Sequence, residues 1–531
     1  MPDQSSVTAG RPAATPDQPS VTDLLAAAVA AVEGTERPGQ VQMATAVAEA
    51  MRDASHLLVQ AGTGTGKSLG YLVPAVLSGK RTVVATATKA LQDQLVGRDL
   101  PFLAEHLDVP FAFAALKGRS NYLCRQRAKE ALQGGDQLDL GGDDVRAEVL
   151  RLVEWATASP DGDRAGLDVE PSPRAWGAVS VTSEECPGAA RCPSGEACFA
   201  ERARAAAAEA DVLVVNTHLY GTHLAAGRGV LPEHEVVVLD EAHQLEDVVS
   251  ATAGIELGPG RFTAVARAAR AVLAERQLPD EVEGAAIQLE AALAPFDGRR
   301  VTPDDVRGPI GLARSRLERL AEAVRGIDTA DADAQTRKAR AQRAITSLVD
   351  DVDRVLDPRE GDVLWVERSL RVAPVDVAVA LEPLWATTTA VLTSATLPPG
   401  LRARVGLPAA TTDELDVGSP FAYDTQGLLY CAAHLPDPRA DGYAAAVADE
   451  LVGLIEAAGG RTLALFTSWR AMQAAVEAVT PRVSTPVLAQ GQLPKPALVD
   501  AFAADESTSL FATMGFWQGV DVPGRTLSLV V

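Results

Sequence analysis

Apolar positions along the first two hundred and forty residues switch between two spacings. LLVQ (57–60) and TVVATAT (82–88) are short, β-rich and apolar on successive residues, as strands covered on both faces are. Between them, Leu69, Leu72 and Val76 recur at helical spacing. VLVV (212–215) and VVVLD (236–240) resume the strand pattern. Such alternation predicts an α/β fold, a parallel sheet flanked by helices. Strand signals return at TAVLTSATL (389–397), RTLALFTS (461–468), TPVLAQ (485–490), SLFATMG (509–515) and TLSLVV (526–531). The last run stops at Val531 inside a strand expected to be buried, so the sequence reads as a fragment of a longer gene product.

Residues 255–360 follow another pattern. Leu317, Leu320, Val324 and Ile327 form one helical stripe; Ile345, Leu348, Val349, Val352 and Leu356 form a second. A helical insertion is expected, its stripes serving core packing. Residues 1–20 are rich in Pro, Ser, Gln and Gly and predict a disordered tail.

Composition narrows the class without deciding it. Of 531 residues, 47% are apolar and 22% charged, the balance of a globular chain of about three domains. No run of eighteen apolar residues exists and LLAAAVAAV (24–32) lacks a basic start, so neither a transmembrane helix nor a signal peptide is expected. Cytoplasm is the expected compartment. A net charge of −23 argues against nucleic-acid binding over the whole surface but leaves room for a local basic channel.

Chemistry enters with AGTGTGKS (61–68), which lies between a predicted strand and a predicted helix. It fits the phosphate-binding P-loop, with Ala61 in place of the first glycine. Gly62, Thr63, Gly64, Thr65 and Gly66 would wrap backbone N–H groups around the phosphates of ATP, helped by the helix dipole. Lys67 would reach the β- and γ-phosphates and Ser68 would ligate Mg²⁺. VVVLDEAH (236–243) delivers Asp240 to the carboxyl end of a strand, where ligands bind in open α/β sheets. Asp240 would hold Mg²⁺ through its water shell, Glu241 would polarise the attacking water, and His243 would couple nucleotide state to another domain.

Three of the five cysteines, Cys186, Cys192 and Cys198, stand at regular intervals, and Cys124 is a fourth candidate ligand. In a reducing compartment a disulfide is disfavoured. Four thiolates suit an iron–sulfur cluster or a structural zinc, although the spacing is looser than the usual zinc hook; unmetallated thiols are a third option. Cys431, in the strand-like LLYCAA, reads as a buried core thiol. Lys117, Arg119, Arg125 and Arg127, with Tyr122 interleaved, read either as a solvated basic face or as contacts to phosphates and an unpaired base.

Together with LTSATL (392–397) and FWQGVDVPG (516–524), these motifs resemble those of superfamily 2 helicases, in particular the bacterial DinG-like helicases of the DinG/XPD iron–sulfur branch. The likeness runs from about residue 35 to the end. RPGQVQM (37–43) resembles the Q-motif, which implies adenine contacts from Arg37 and Gln40. VVATATKALQDQL (83–95) resembles motif Ia and implies a DNA contact at Thr86. LKGRSNYLC (116–124) resembles the approach to the cluster, with Lys117, Arg119 and Tyr122 on DNA, and VVNTHLY (214–220) the segment before DEAH. LFTSWRAM (465–472) implies that Ser468 faces the nucleic-acid backbone. Thr393, Ser394, Thr396, Gln518 and Asp521 are implied to couple the two motor domains; position 518 is Gln where many relatives carry Glu. The family's final motif, a glutamine and glycine followed by two arginines, is absent.

The resemblance implies two RecA-like P-loop domains, with an iron–sulfur insertion and a helical arch in the first. The first motor domain would comprise 21–118, 206–254 and 366–410, the cluster domain 119–205, the arch 255–365 and the second motor domain 411–531. It implies a [4Fe–4S] cluster on Cys124, Cys186, Cys192 and Cys198. It also implies a monomeric, ATP- and Mg²⁺-dependent helicase hydrolysing ATP between its motor domains and moving 5′ to 3′ on single-stranded DNA. Forked or flapped duplexes would be unwound, in repair or replication, and no membrane is involved. Two other classes remain: an ATP-driven translocase remodelling RNA or nucleoprotein, and a nucleic-acid-binding scaffold with an inactive motor.

Overall fold

The computed structural model describes residues 19–133, 143–493, 495–517, 520, 522 and 524–531. Two compact units are present. One comprises the chain up to Leu116 with Ala203–Gly326 and Ile345–Phe421; the other comprises Lys117–Arg202, Ile327–Ala344 and Ala422–Val531.

The first unit is built on a seven-stranded sheet. Across it the strands run Thr412–Asp416, His56–Gln60, Thr389–Ser394, Val236–Asp240, Thr82–Thr86, Val212–Asn216 and Phe113–Ala115, all parallel. Alternate residues of each strand enter opposite cores. Leu57, Val59, Val84 and Val238 pack on one face with Met43 and Leu72 of the helices Pro38–Asp53 and Lys67–Ser78. Leu58, Val83, Val237 and Leu392 pack on the other with Leu381 and Trp385. Burial on both faces explains why the inner strands are so apolar, while the edge strand Thr412–Asp416 is polar and largely exposed. Thr412–Asp416 pairs with His56–Gln60, so the first motor sheet extends past the boundary expected at 410.

The helices of the insertion are Pro303–Arg325 and Ala332–Leu356, among others. Leu317, Leu320 and Val324 are buried as the stripe predicts, but Ile327 lies beyond its helix. In the second stripe Val355, rather than Leu356, takes the buried position after Ile345, Leu348 and Val352. A purely helical insertion is not what forms. Ile255–Leu257, Ser369–Pro374, Asp362–Glu367 and Arg299–Val301 make a four-stranded antiparallel sheet in that order, which carries the insertion past residue 366. Two of its strands have only three residues each, too few for alternation to stand out in sequence.

In the second unit Val487–Ala489, Ser509–Thr513, Thr462–Phe466 and Leu529–Val530 form a parallel sheet in that order. Leu451, Ile455 and Met472 cover one face, Leu498 and Phe502 the other. TLSLVV is only partly buried: Leu529–Val530 and Val531 pair with the strand Thr462–Phe466 at the sheet edge and Thr526 is buried, but Val530 is exposed. Cys431 is another correction. Its segment joins no strand among the described residues, the thiol is exposed, and neighbouring Leu428 is 95% exposed. Of the expected tail, residues 1–18 lie outside the described residues, as do Gln518 and Asp521. Ser20 is the N-cap of Val21–Ala31, in a capping box with Asp23.

Candidate active site and four-cysteine cavity

Three loops meet where adjacent strands of the first sheet end. His56–Gln60 leads into the P-loop, Val236–Asp240 into DEAH and Thr389–Ser394 into the TSAT segment. Their register places Gln60 beside Ser394 and Thr393 beside Asp240. Gly64 and Gly66 have φ of 80° and 83°, and a Cβ on Gly66 would come within 2.2 Å of the Gln40 amide nitrogen. Only glycine meets both demands cheaply. Gly66 caps the helix that starts at Lys67, whose orphan amides and dipole favour an anion. Around this turn the Ala61 amide donates to the Ser394 carbonyl and the Thr65 hydroxyl to the Gly62 carbonyl. Thr63 is exposed.

Lys67 Nζ stands 3.7 Å from Glu241 Oε1. The other Glu241 oxygen accepts a hydrogen bond from Ser394 Oγ at 3.2 Å, and Ser394 Oγ lies 2.8 Å from His243 Nδ1. Glu241 is in the left-handed region, with φ of 55°, a strained conformation of the sort that gathers at functional sites. Asp240 is buried; it accepts from the Glu241 amide at 2.9 Å and from the Tyr71 hydroxyl at 3.1 Å. Burial first, and then the Glu241 charge, push the Asp240 carboxyl up to about 6, against the pull of Lys67. Tyr71 is fully buried, and its bond to Asp240 ties the helix after the P-loop to the DEAH strand. Sequence reasoning missed Tyr71; its place on the helix one turn after Lys67 was the available signal. Thr393 is buried with its hydroxyl unpartnered, and Thr396 is exposed.

Cys124, Cys186, Cys192 and Cys198 line one cavity in the second unit. Turns that precede short helices place them: the Cys124 amide donates to the Val179 carbonyl at 2.7 Å, and Cys192 and Cys198 end tight turns. Burial pushes the Cys124 thiol up to about 11, and burial also raises Cys192. Among the described residues no three His, Cys, Asp or Glu side chains form a group able to hold a metal ion. Thr336 and Arg340 complete the wall from a helix far along the chain, and sequence reasoning missed both.

Comparison with known proteins now adds to the geometry. A family model described as DEAD/DEAH box helicase matches residues 38–131, and one described as helicase C-terminal domain matches 451–531. The ATP-dependent helicase DinG of Mycobacterium tuberculosis is 42% identical over 96% of this chain and 83% of its own length. The chain belongs to the DinG family of ATP-dependent helicases. A second relative, the ATP-dependent DNA helicase YoaA of Escherichia coli K12, is 34% identical over 93% of this chain and 81% of its own. An XPD helicase structure, 16% identical, superposes with a TM-score of 0.56 over 93% of this chain and 84% of its own, a likeness of fold.

The residues expected to touch adenine or DNA are placed as follows. Arg37, which is exposed, donates to the Gly64 carbonyl and Gln40 to the Gly66 carbonyl at 2.9 Å, so both brace the P-loop backbone. Thr86 is buried, with its hydroxyl on the Thr88 carbonyl. Lys117 is 5% exposed and pairs with Asp163 at 2.7 Å. The Tyr122 hydroxyl accepts from the Lys117 amide and is buried with it. Arg119 pairs with Glu201, and Arg127 donates to the Gly177 and Ala178 carbonyls. The basic cluster therefore faces inward, which composition cannot reveal because a long cationic side chain suits either direction. Ser468 is exposed and caps Trp469–Val479.

Proposed function

We propose that this protein is an ATP-driven DNA helicase with a [4Fe–4S] cluster on Cys124, Cys186, Cys192 and Cys198. The observation that carries the motor assignment is the convergence of Lys67, Asp240, Glu241 and Ser394 from three adjacent strand ends. Lys67 meets the β- and γ-phosphates, and nucleotide takes over the charge that Glu241 now balances. Ser68 and Asp240 hold Mg²⁺, which when bound offsets the charge on the phosphate oxygens. Glu241 orients the attacking water, and its bond to Ser394 ties hydrolysis to the TSAT segment. A DNA substrate is supported by the name of the Escherichia coli relative. Exposed Trp469 beside Ser468 offers an aromatic face on which an unpaired base can stack. Movement 5′ to 3′ and a repair role follow from the family resemblance.

The cysteine cavity fits a cluster. Four thiols lining one cavity are the donor set that such a cluster needs. A cluster spreads its ligands over several irons and would order a region with little core of its own. Incubation of anaerobically purified protein with ATP and a forked duplex tests the helicase reading. Displacement of one DNA strand is expected with a 5′ single-stranded arm; RNA forks displaced in preference would overturn the DNA assignment.

A further inference from the structure

Arg340 sits in the wall of the four-cysteine cavity, only 6% exposed, and its Nε–H has no hydrogen-bond partner. Nη1 and Nη2 each donate to one of the two Glu130 oxygens, at 2.8 and 3.1 Å. Glu130 is in turn held by Gln126. A buried donor left without an acceptor is costly and rare in a folded protein. The other arginines nearby differ. Arg119 and Arg127 spend donors on Glu201 and on backbone carbonyls, and Arg125, whose Nε is also unpartnered, lies over the Phe199 ring at 4.2 Å and does not line the cavity.

We propose that Arg340 is a positioning residue for the cluster: its Nε–H donates to a cluster or cysteine sulfur, and its Glu130-anchored charge offsets the cluster's negative charge. This rests on the cluster reading above. Net charge and hydrogen bonds to sulfur are among the determinants of cluster potential. Uptake of one electron from an external reductant such as dithionite adds a negative charge to the cluster and makes or breaks no bond. A cation beside it therefore favours the reduced form, and removing that cation shifts the midpoint potential to more negative values.

Arg340→Met alone strands the Glu130 carboxylate, so the deciding variant is Arg340→Met with Glu130→Gln, which removes both charges together. Arg340→Lys keeps a charge but lacks the Nε donor. Iron content, midpoint potential and the rate of iron loss to a chelator are measured on anaerobically purified full chains. The double variant is expected to show a more negative potential and several-fold faster iron loss, with Arg340→Lys between it and wild type. A double variant with full iron, wild-type potential and wild-type iron loss overturns the Arg340 assignment alone. Wild-type protein that holds zinc or no iron when made with ample iron overturns the cluster reading, and this inference with it.

Discussion

The phosphate site and the cysteine cavity are assembled from the chain in opposite ways. At the phosphate site, Asp240 and Glu241 are neighbours in sequence, and Lys67 and Tyr71 arrive on a single helix. Parallel strands in fixed register bring the parts together. In the cavity, Cys124 and the later cysteines need a wall from Ala332–Leu356, and Arg340 meets a partner 210 residues away. A sheet can assemble a site from short loops, whereas the cysteine region, built on short helices and turns, takes charge and packing from distant chain. Damage should therefore stay local at the first site and spread at the second.

The largest effect belongs to the motor. Lys67→Ala should cut ATP turnover about 10²–10³-fold or more, since it removes a preorganised cation from the phosphates. Glu241→Gln should slow hydrolysis while nucleotide binding persists. Both variants should keep the wild-type iron content, checked by metal analysis; iron loss in either would break the claim that the two sites are independent.

Next come the cysteines. Changing any one of Cys124, Cys186, Cys192 or Cys198 to Ser should remove visible absorbance and loosen the whole 117–202 region, read by limited proteolysis. Cys431→Ser should do neither, since that thiol is exposed and apart from the cavity lining.

A smaller effect is expected at Asp240, where function and stability should separate. Its carboxyl sits at about 6 in the folded protein against an ordinary 3.8, so the folded state holds this proton more tightly than the unfolded chain does. The stability it contributes is full below pH 4 and is lost as pH rises through 6. Asp240→Asn should make nucleotide-free, Mg²⁺-free protein about 1–3 kcal/mol more stable at pH 7, the gap closing toward pH 4, while hydrolysis fails. Urea unfolding across this range checks it; a variant less stable than wild type at pH 7 would contradict the sign.

The smallest change is the one expected in DNA binding on altering Lys117 and Arg119. Both are engaged inside the cysteine region. The double alanine variant should weaken iron retention but leave the salt dependence of DNA affinity within error; a flatter slope would return these residues to phosphate contacts.

These contrasts also explain what could be read in the sequence. The P-loop, DEAH and TSAT segments were legible because each acts through a few contiguous residues at a strand end. The inner strands of the parallel sheets were legible because burial on both faces leaves an unbroken apolar run; the polar edge strand Thr412–Asp416 and the short antiparallel strands were not. What escaped depended on contact across strands or over long chain separation: the Ser394–Glu241 bond, the Tyr71–Asp240 bond, and Arg340. Direction escaped too. Lys117 and Cys431 each turned the opposite way from expectation, because composition records what a side chain is and not which way its segment faces.

The central claim is that ATP hydrolysis at Lys67, Asp240 and Glu241 drives work on DNA, and the most direct measurement is ATP turnover by the protein with and without single-stranded DNA. Wild-type turnover should rise on adding DNA, and Glu241→Gln should abolish that rise while still binding nucleotide. Turnover indifferent to every nucleic acid, or a DNA-stimulated rate that survives Glu241→Gln, would contradict the account.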